Sequence, residues 1–279
     1  FMLANGHIYD SGVAADRKRF EADEPDLCRG LMEIRRRILS DDAMREKIVR
    51  KCRIKNVTGY AMNSFVDFDT PMDIFSHVLI GSEGTLAYII SGELATLPLY
   101  DVYSSALLYF PDVTSAAAAA APLGEKGALA VEMMDYASLV SYMGKRPDLP
   151  AGTTAMLVDF GASTPDEMAQ RAAELTPQFK ALPSLSRMEP FTTTVAERAA
   201  LWKMRDGIFP CVAGARVPGA TVILEDIAAP LGDLDRLVDG VQSLFAKYGY
   251  DGAIFGHARA GNIHPMLTST MSDERDTTR

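Results

Sequence analysis

Cysteine is scarce and scattered. Cys28, Cys52 and Cys211 are the only three in 279 residues, and no C-x-x-C pair occurs. The cysteines therefore build neither an iron–sulfur cluster nor a structural zinc site. They read as reduced packing residues, which predicts a cytoplasmic location. No run of 18 apolar residues occurs, so no transmembrane segment is expected. A basic stripe is missing too: 28 Lys and Arg face 37 Asp and Glu, for a net charge of −9, which counts against a nucleic-acid partner, and none is expected. No G-x-G-x-x-G sits between a strand and a helix, and there is no P-loop and no G-x-S-x-G elbow. No signal peptide opens the chain. It starts at Phe1 in mid-pattern without an initiator Met, which predicts a piece of a longer protein.

What is present is a hydrophobic content of 48%, enough for a substantial core in one large or two medium domains. Composition shifts near Pro98, which suggests domains over 1–98 and 99–279. In the first, Asn5-Gly6 between apolar runs predicts a hairpin with a type I′ turn. Residues 10–25 read as a polar surface loop. Leu27, Leu31, Ile34 and Ile38 have helical spacing, with Arg35-Arg36-Arg37 as a solvated face. Met44 and Ile48 continue a second helix to Lys51. Thr70-Pro71 starts a short helix. It runs into Gly81-Ser82-Glu83-Gly84-Thr85, a tight loop expected to lead into a buried strand over Leu86–Ile90.

From about residue 100, strands and helices alternate. Strands are expected over 102–110, 127–133, 155–160, 221–227 and 252–255, and a further strand at Met266-Leu267. Helices are expected over 112–123, where Ala116–Ala121 would press flat on a sheet, and over 135–143, 195–205 and 233–248. Thr164 and Glu167 form a capping box for another helix. The pattern predicts an α+β domain with helices covering one face of a largely antiparallel sheet.

Several residues could carry chemistry. His257 and His264, two of four histidines, flank a Gly/Asn turn. A hairpin there would let them face each other and share a metal, although zinc usually has three or four protein ligands and no third is evident; two ordinary loop histidines are the other reading. Trp202-x-x-Arg205 puts an aromatic and a guanidinium on one helix face. Arg205 is either a carboxylate clamp or a surface arginine. Arg216, between Gly214 and Pro218, has the same two readings. Glu225-Asp226 ends an apolar strand, facing a site or solvent.

Together these pieces resemble the FAD-linked dehydrogenases of the vanillyl-alcohol-oxidase type, in the D-lactate, glycolate and D-2-hydroxyglutarate dehydrogenase branch. The matching residues run in order: Thr58-Gly59-Tyr60, Ile80–Leu86, Leu201-Trp202-x-x-Arg205, Asp226 before Pro230, and Gly256-His257 through Gly261-Asn262-x-His264. Arg53–Gly59 and Phe209-Pro210 look closest to members with a downstream iron–sulfur module. The resemblance implies the C-terminal part of a PCMH-type FAD-binding domain followed by a ferredoxin-like α+β substrate cap. It implies FAD contacts at Gly59, Gly81, Ser82, Glu83, Gly84 and Thr85. Arg205 would bind the substrate carboxylate, with Arg216 a second clamp and Asn262 orienting the substrate. His257 and His264 would act as base or hold a divalent metal (zinc, manganese or iron) together with a later glutamate. The reaction implied is oxidation of a D-2-hydroxy acid by hydride transfer to FAD, with a quinone, cytochrome or iron–sulfur module as electron acceptor and, with it, a peripheral place at the inner membrane. One position and one segment depart from the pattern: Ala87 stands where a glycine is usual, and Ala258-Arg259-Ala260 replaces a more acidic segment. The family's upstream glycine-rich loop and later Glu-His-Gly are not in the sequence, so this chain alone is expected to keep the turn without FAD. A non-catalytic carboxylate-binding module is the alternative of another class.

Overall fold

The computed structural model describes residues 1–55, 59–145 and 148–271. The chain divides into two compact units, Phe1–Leu97 and Pro98–Arg279.

The first unit is mainly helical. Its opening turn is a hairpin, but not of type I′. Gly6 N donates to Leu3 O, Leu3 N donates to His7 O, and only Gly6 of the pair Asn5-Gly6 has positive φ. That is a type I turn closed by a glycine bulge, which accommodates one more residue than a two-residue loop. The expected polar loop is in fact a helix, α1 (Ala14–Asp23). Its residues are good helix formers, yet Phe20 alone is buried, so no apolar period marks it. Arg17 on α1 pairs with Asp73 on α5. The guanidinium holds the Asp73 carboxyl below the usual carboxylate range.

Helices α2 (Pro25–Leu39) and α3 (Asp42–Lys51) follow as expected, then the single turn α4 (Ser64–Asp67) and α5 (Pro71–Val78). Thr70 caps α5 through Asp73 N. The arginine face of α2 is only partly solvated: Arg36 pairs with Glu33, while Arg35 Nε donates to Phe68 O at 2.8 Å. The unit closes over Tyr9, Phe20, Met72, Ile74 and Phe75. The strand expected after the Gly loop is reduced to one bridge, Tyr88 with Met2. Tyr88, Ile89 and Ile90 are half exposed or more, because a strand forms only where a neighbouring backbone accepts and donates hydrogen bonds.

The second unit is built on an antiparallel sheet. Its strands are β1 (Val102–Phe110), β2 (Ala130–Met134), β3 (Thr154–Ala162), β4 (Arg187–Met188), β5 (Thr221–Leu224), β6 (Ile227–Ala228), β7 (Ala253–His257) and β8 (Asn262–Ser269). The spatial order is β4-β1-β3-β2-β7-β8-β5, with β6 also paired to β8, and every pairing among the described residues is antiparallel. The expected single strand over 221–227 is interrupted. Pro265 on β8 stands opposite Glu225 and has no N–H to donate, so the ladder breaks there and resumes at Ile227.

The helices are α6 (Val113–Glu125), α7 (Tyr136–Met143), α8 (Pro165–Lys180), α9 (Val195–Gly214) and α10 (Leu234–Tyr248). They cover both faces of the sheet, not one. Alternate residues of each strand point to opposite sides. Ala106, Leu108 and Phe110 of β1 and Met156, Val158 and Phe160 of β3 pack with α6, α8 and α10. Leu107, Tyr109, Leu157 and Phe255 pack with Leu139 of α7 and with Met204 and Ile208 of α9. The single-face expectation failed because the second apolar set hides in the same strands: both alternations are apolar, as in any strand buried on two sides. The alanine run does lie flat, with Ala116, Ala117, Ala119 and Ala120 buried. Helix α9 runs nine residues past the expected end at Arg205, carrying Pro210 inside it.

Candidate functional site

Strand β2 reads Ala-Val-Glu-Met-Met. Val131 and Met133 belong to the α6 face, so Glu132 faces the α7 and α9 side. Its side chain is only 8% exposed, and a carboxylate so placed needs partners. It has two. Arg205 Nε on α9 donates to Oε2 at 2.7 Å. His257 Nδ1, across the β2–β7 ladder, lies 2.9 Å from Oε1. The Arg205 guanidinium also rests 5.9 Å from the Phe255 ring centre.

His264 on β8 stands beside His257, with ring centres 5.1 Å apart and planes nearly perpendicular. Its Nδ1 contacts Asp226 Oδ1. The register explains that contact. Leu224 pairs with Met266 and Ile227 with Ile263, which puts Asp226 opposite His264. The result is a continuous row, Arg205–Glu132–His257–His264–Asp226, along one side of the sheet.

The hairpin between the histidines is fixed by glycine. Gly261 has φ +65°, and a Cβ there would stand 2.2 Å from Ala229 O. Asn262 is fully buried, and its Nδ2 donates to Ile227 O at 3.1 Å, pinning β6, next to Asp226, onto β8. Arg216 lies elsewhere, in the exposed loop after α9. Its Nη1 donates to Ala213 O at 2.6 Å, and it lines an open cavity of about 640 Å³ with Val217–Thr221. The structure thus brings Arg205, His257 and His264 together, with Asn262 two residues before His264 on β8 and so on the same side of the strand; Arg216 lies apart from them.

Glu132 is the residue that sequence reasoning missed. The signal was one acid in an otherwise apolar strand, which in a two-sided sheet must be buried. Two histidines whose Nδ1 atoms meet carboxylates are oriented as metal-ligating histidines usually are, so the donor set fits two ligands of a divalent ion. Among the described residues no group of three or more His, Cys, Asp or Glu converges as a metal site.

In the first unit, Gly81, Glu83 and Gly84 all have positive φ (+80°, +52° and +75°). A Cβ at either glycine meets nothing within 4 Å, so the loop is open above its backbone, as a cofactor cradle requires. Ser82 is buried. Thr85 Oγ1 donates to Ser82 O at 2.6 Å. The hydroxyl's one proton is spent there, so Tyr60 OH donates to Thr85 Oγ1 at 2.9 Å. The Gly59-Tyr60 turn is thereby tied to the Gly loop; Thr58 lies outside the described residues, as do Asn56 and Val57.

No helix among the described residues is long and apolar enough to cross a membrane. Residues 101–279 match the family model "FAD linked oxidases, C-terminal domain". The glycolate oxidase subunit GlcD of Bacillus subtilis is 23% identical over 213 residues, 73% of this chain and 43% of that protein. The mitochondrial D-lactate dehydrogenase [cytochrome] of Arabidopsis thaliana is 24% identical over 255 residues, 88% of this chain and 42% of that protein. The D-2-hydroxyglutarate dehydrogenase of Pseudomonas putida is 29% identical over 237 residues, 78% of this chain and 23% of that protein. The chain spans less than half the length of these relatives. Its match over most of its length shows that this chain belongs to the FAD-linked oxidase family, with the family's C-terminal domain at residues 101–279.

Proposed function

We propose that the chain is part of a flavin-dependent oxidoreductase that converts a D-2-hydroxy acid, such as lactate or glycolate, to the 2-oxo acid. The observation that supports this reading is the row Arg205–Glu132–His257–His264–Asp226, a cation and two imidazoles held by buried or half-buried carboxylates. The relatives named for glycolate, D-lactate and D-2-hydroxyglutarate support the substrate class.

Arg205 binds the substrate carboxylate. With Nε held by Glu132, its two Nη groups present the planar fork that matches a carboxylate. One of the two histidines takes the hydroxyl proton as general base. If a divalent ion is used, His257 and His264 supply two of its ligands. Residues 1–98, the C-terminal part of an FAD-binding domain in this reading, contribute the Gly59 turn and the amides of Gly81–Thr85 to flavin binding. Bound FAD supplies the hydride acceptor; the chain's own residues fix the substrate and move the proton. Asn262 keeps the β6–β8 frame in register. Electrons leave to a quinone, a cytochrome or an iron–sulfur module.

Dye reduction by D-lactate and glycolate with the FAD-loaded full-length protein of which this chain is part tests the reading, alongside calorimetric titration of the same acids. Turnover that Arg205→Ala abolishes is the expected result. Carboxylate binding by a flavin-loaded protein that never reduces the dye overturns it and marks a binding module.

A further inference from the structure

We infer that Glu132 is the positioning residue of this site, setting both the direction of the Arg205 fork and the tautomer of His257. The inference rests on the substrate-binding reading for its effect on affinity, but not for its effect on the imidazole. A carboxylate only accepts hydrogen bonds. Facing Glu132 Oε1 at 2.9 Å, His257 Nδ1 must carry the proton, so Nε2 is the nitrogen left with a lone pair. That lone pair is what a general base or a metal ligand needs. The second oxygen, Oε2, takes Arg205 Nε at 2.7 Å. Nε is the one guanidinium nitrogen whose use leaves both Nη groups for a bidentate partner. Neither oxygen can be given up without loosening one of the two groups. The carboxylate itself is held still: β2 is paired on both sides, to β3 and to β7, and the side chain is buried to 8% exposure.

A second acid–arginine pair separates positioning from mere support. Asp159 on β3 takes Arg198 of the same helix, Nη2 lying 3.2 and 3.1 Å from its two oxygens. It has similar burial and no histidine. Loss of Asp159 therefore loosens α9 without touching an imidazole.

The test uses the whole chain labelled with ¹⁵N-histidine and long-range proton–nitrogen correlation in mildly alkaline buffer, the His257 signals being those lost in H257Q. Oxalate is the carboxylate probe, titrated by calorimetry. The wild-type protein is expected to show His257 as the Nδ1–H tautomer. In E132Q one of the two oxygens becomes an NH2 that can only donate, so His257 Nδ1–H and Arg205 Nε–H no longer each face an acceptor; His257 leaves the pure Nδ1–H tautomer and oxalate affinity falls about tenfold or more. D159N is expected to leave the tautomer unchanged. An Nε2–H His257 in the wild type overturns the inference with no variant needed. So does an E132Q protein with unchanged tautomer and unchanged oxalate affinity, or a D159N protein whose His257 shifts as much as in E132Q. Absence of oxalate binding in the wild type counts against the substrate reading alone, because the tautomer still decides the role of Glu132.

Discussion

Arg198 and Arg205 stand seven residues apart on α9, and each reaches down to an acid on a neighbouring strand: Asp159 on β3 and Glu132 on β2. Two helical turns separate them, so they share a helix face. The first pair is closed on itself. Ser105 Oγ also donates to Asp159, Arg198 Nε donates to Ser105 Oγ at 3.1 Å, and the guanidinium lies 5.2 Å from the Tyr103 ring centre. The second pair opens onto two histidines.

The closed pair is a strut. Asp159→Ala leaves a mostly buried arginine without its carboxylate and is expected to lower unfolding stability by about 3 kcal/mol. Urea unfolding of the single variants and of Asp159→Ala with Arg198→Ala checks it. The double variant should recover part of the loss, since it leaves no orphaned charge. A full additive loss would show that the two residues do not interact.

Arg205→Lys is a stricter probe of the open pair than Arg205→Ala. A lysine keeps the charge but has one nitrogen, which Glu132 at 8% exposure will hold. Nothing planar is then left for the ligand. Oxalate or D-lactate affinity should fall at least about tenfold, near 1.4 kcal/mol, with little change in urea stability. Equal affinity in calorimetry would show that the fork is not used.

How much of this was legible varies with the physics. The β1, β3 and α10 spans were read nearly residue for residue, because long apolar periods have one solution. Helix α1 was invisible since a single buried Phe20 carries no period. The interruption of the expected 221–227 strand is caused by Pro265, some forty residues later in the chain, and no local reading of 221–227 contains it. In the site, the His257–His264 approach followed from hairpin geometry. Glu132 and the Asp226–His264 contact depend on strand register across the sheet, which the sequence does not state locally.

Asp135 gives a prediction in pH. It caps α7 by accepting from Ser138 N at 2.9 Å, and it also accepts from Ile254 N at 2.8 Å, tying helix to strand β7. Burial pushes its carboxyl up to about 6. The unfolded chain ionises near the ordinary value of 3.8. Between these two values the folded state holds more protons than the unfolded state, so stability falls as pH rises from about 4 to about 6. At 1.36 kcal/mol per unit the loss is about 3 kcal/mol. Asp135→Asn cannot ionise. Urea unfolding across this range should show the wild-type minus Asp135→Asn stability difference declining with rising pH; a flat or rising difference would refute the assignment.

The Gly loop makes the last prediction, and it separates conformation from space. Gly81 and Gly84 sit at φ +80° and +75°, and a methyl added at either would have nothing within 4 Å. Gly81→Ala and Gly84→Ala should therefore cost only the left-handed penalty of about 1–2 kcal/mol each, with no clash added. Glu83 already bears that strain at φ +52°, so Glu83→Gly should relieve part of it. Glycine's larger unfolded-state entropy offsets the gain, leaving a net change within about 1 kcal/mol of zero. Urea unfolding of the three variants checks the order: the two alanine variants lower, the glycine variant level with or above the wild type. If a flavin lies over this open backbone, the alanine variants should lose FAD affinity beyond their stability loss, because a methyl then occupies the space the ring or phosphate needs. Fluorescence quenching on FAD titration of the full-length protein would reveal that excess, and an unchanged affinity would place the cofactor away from the loop.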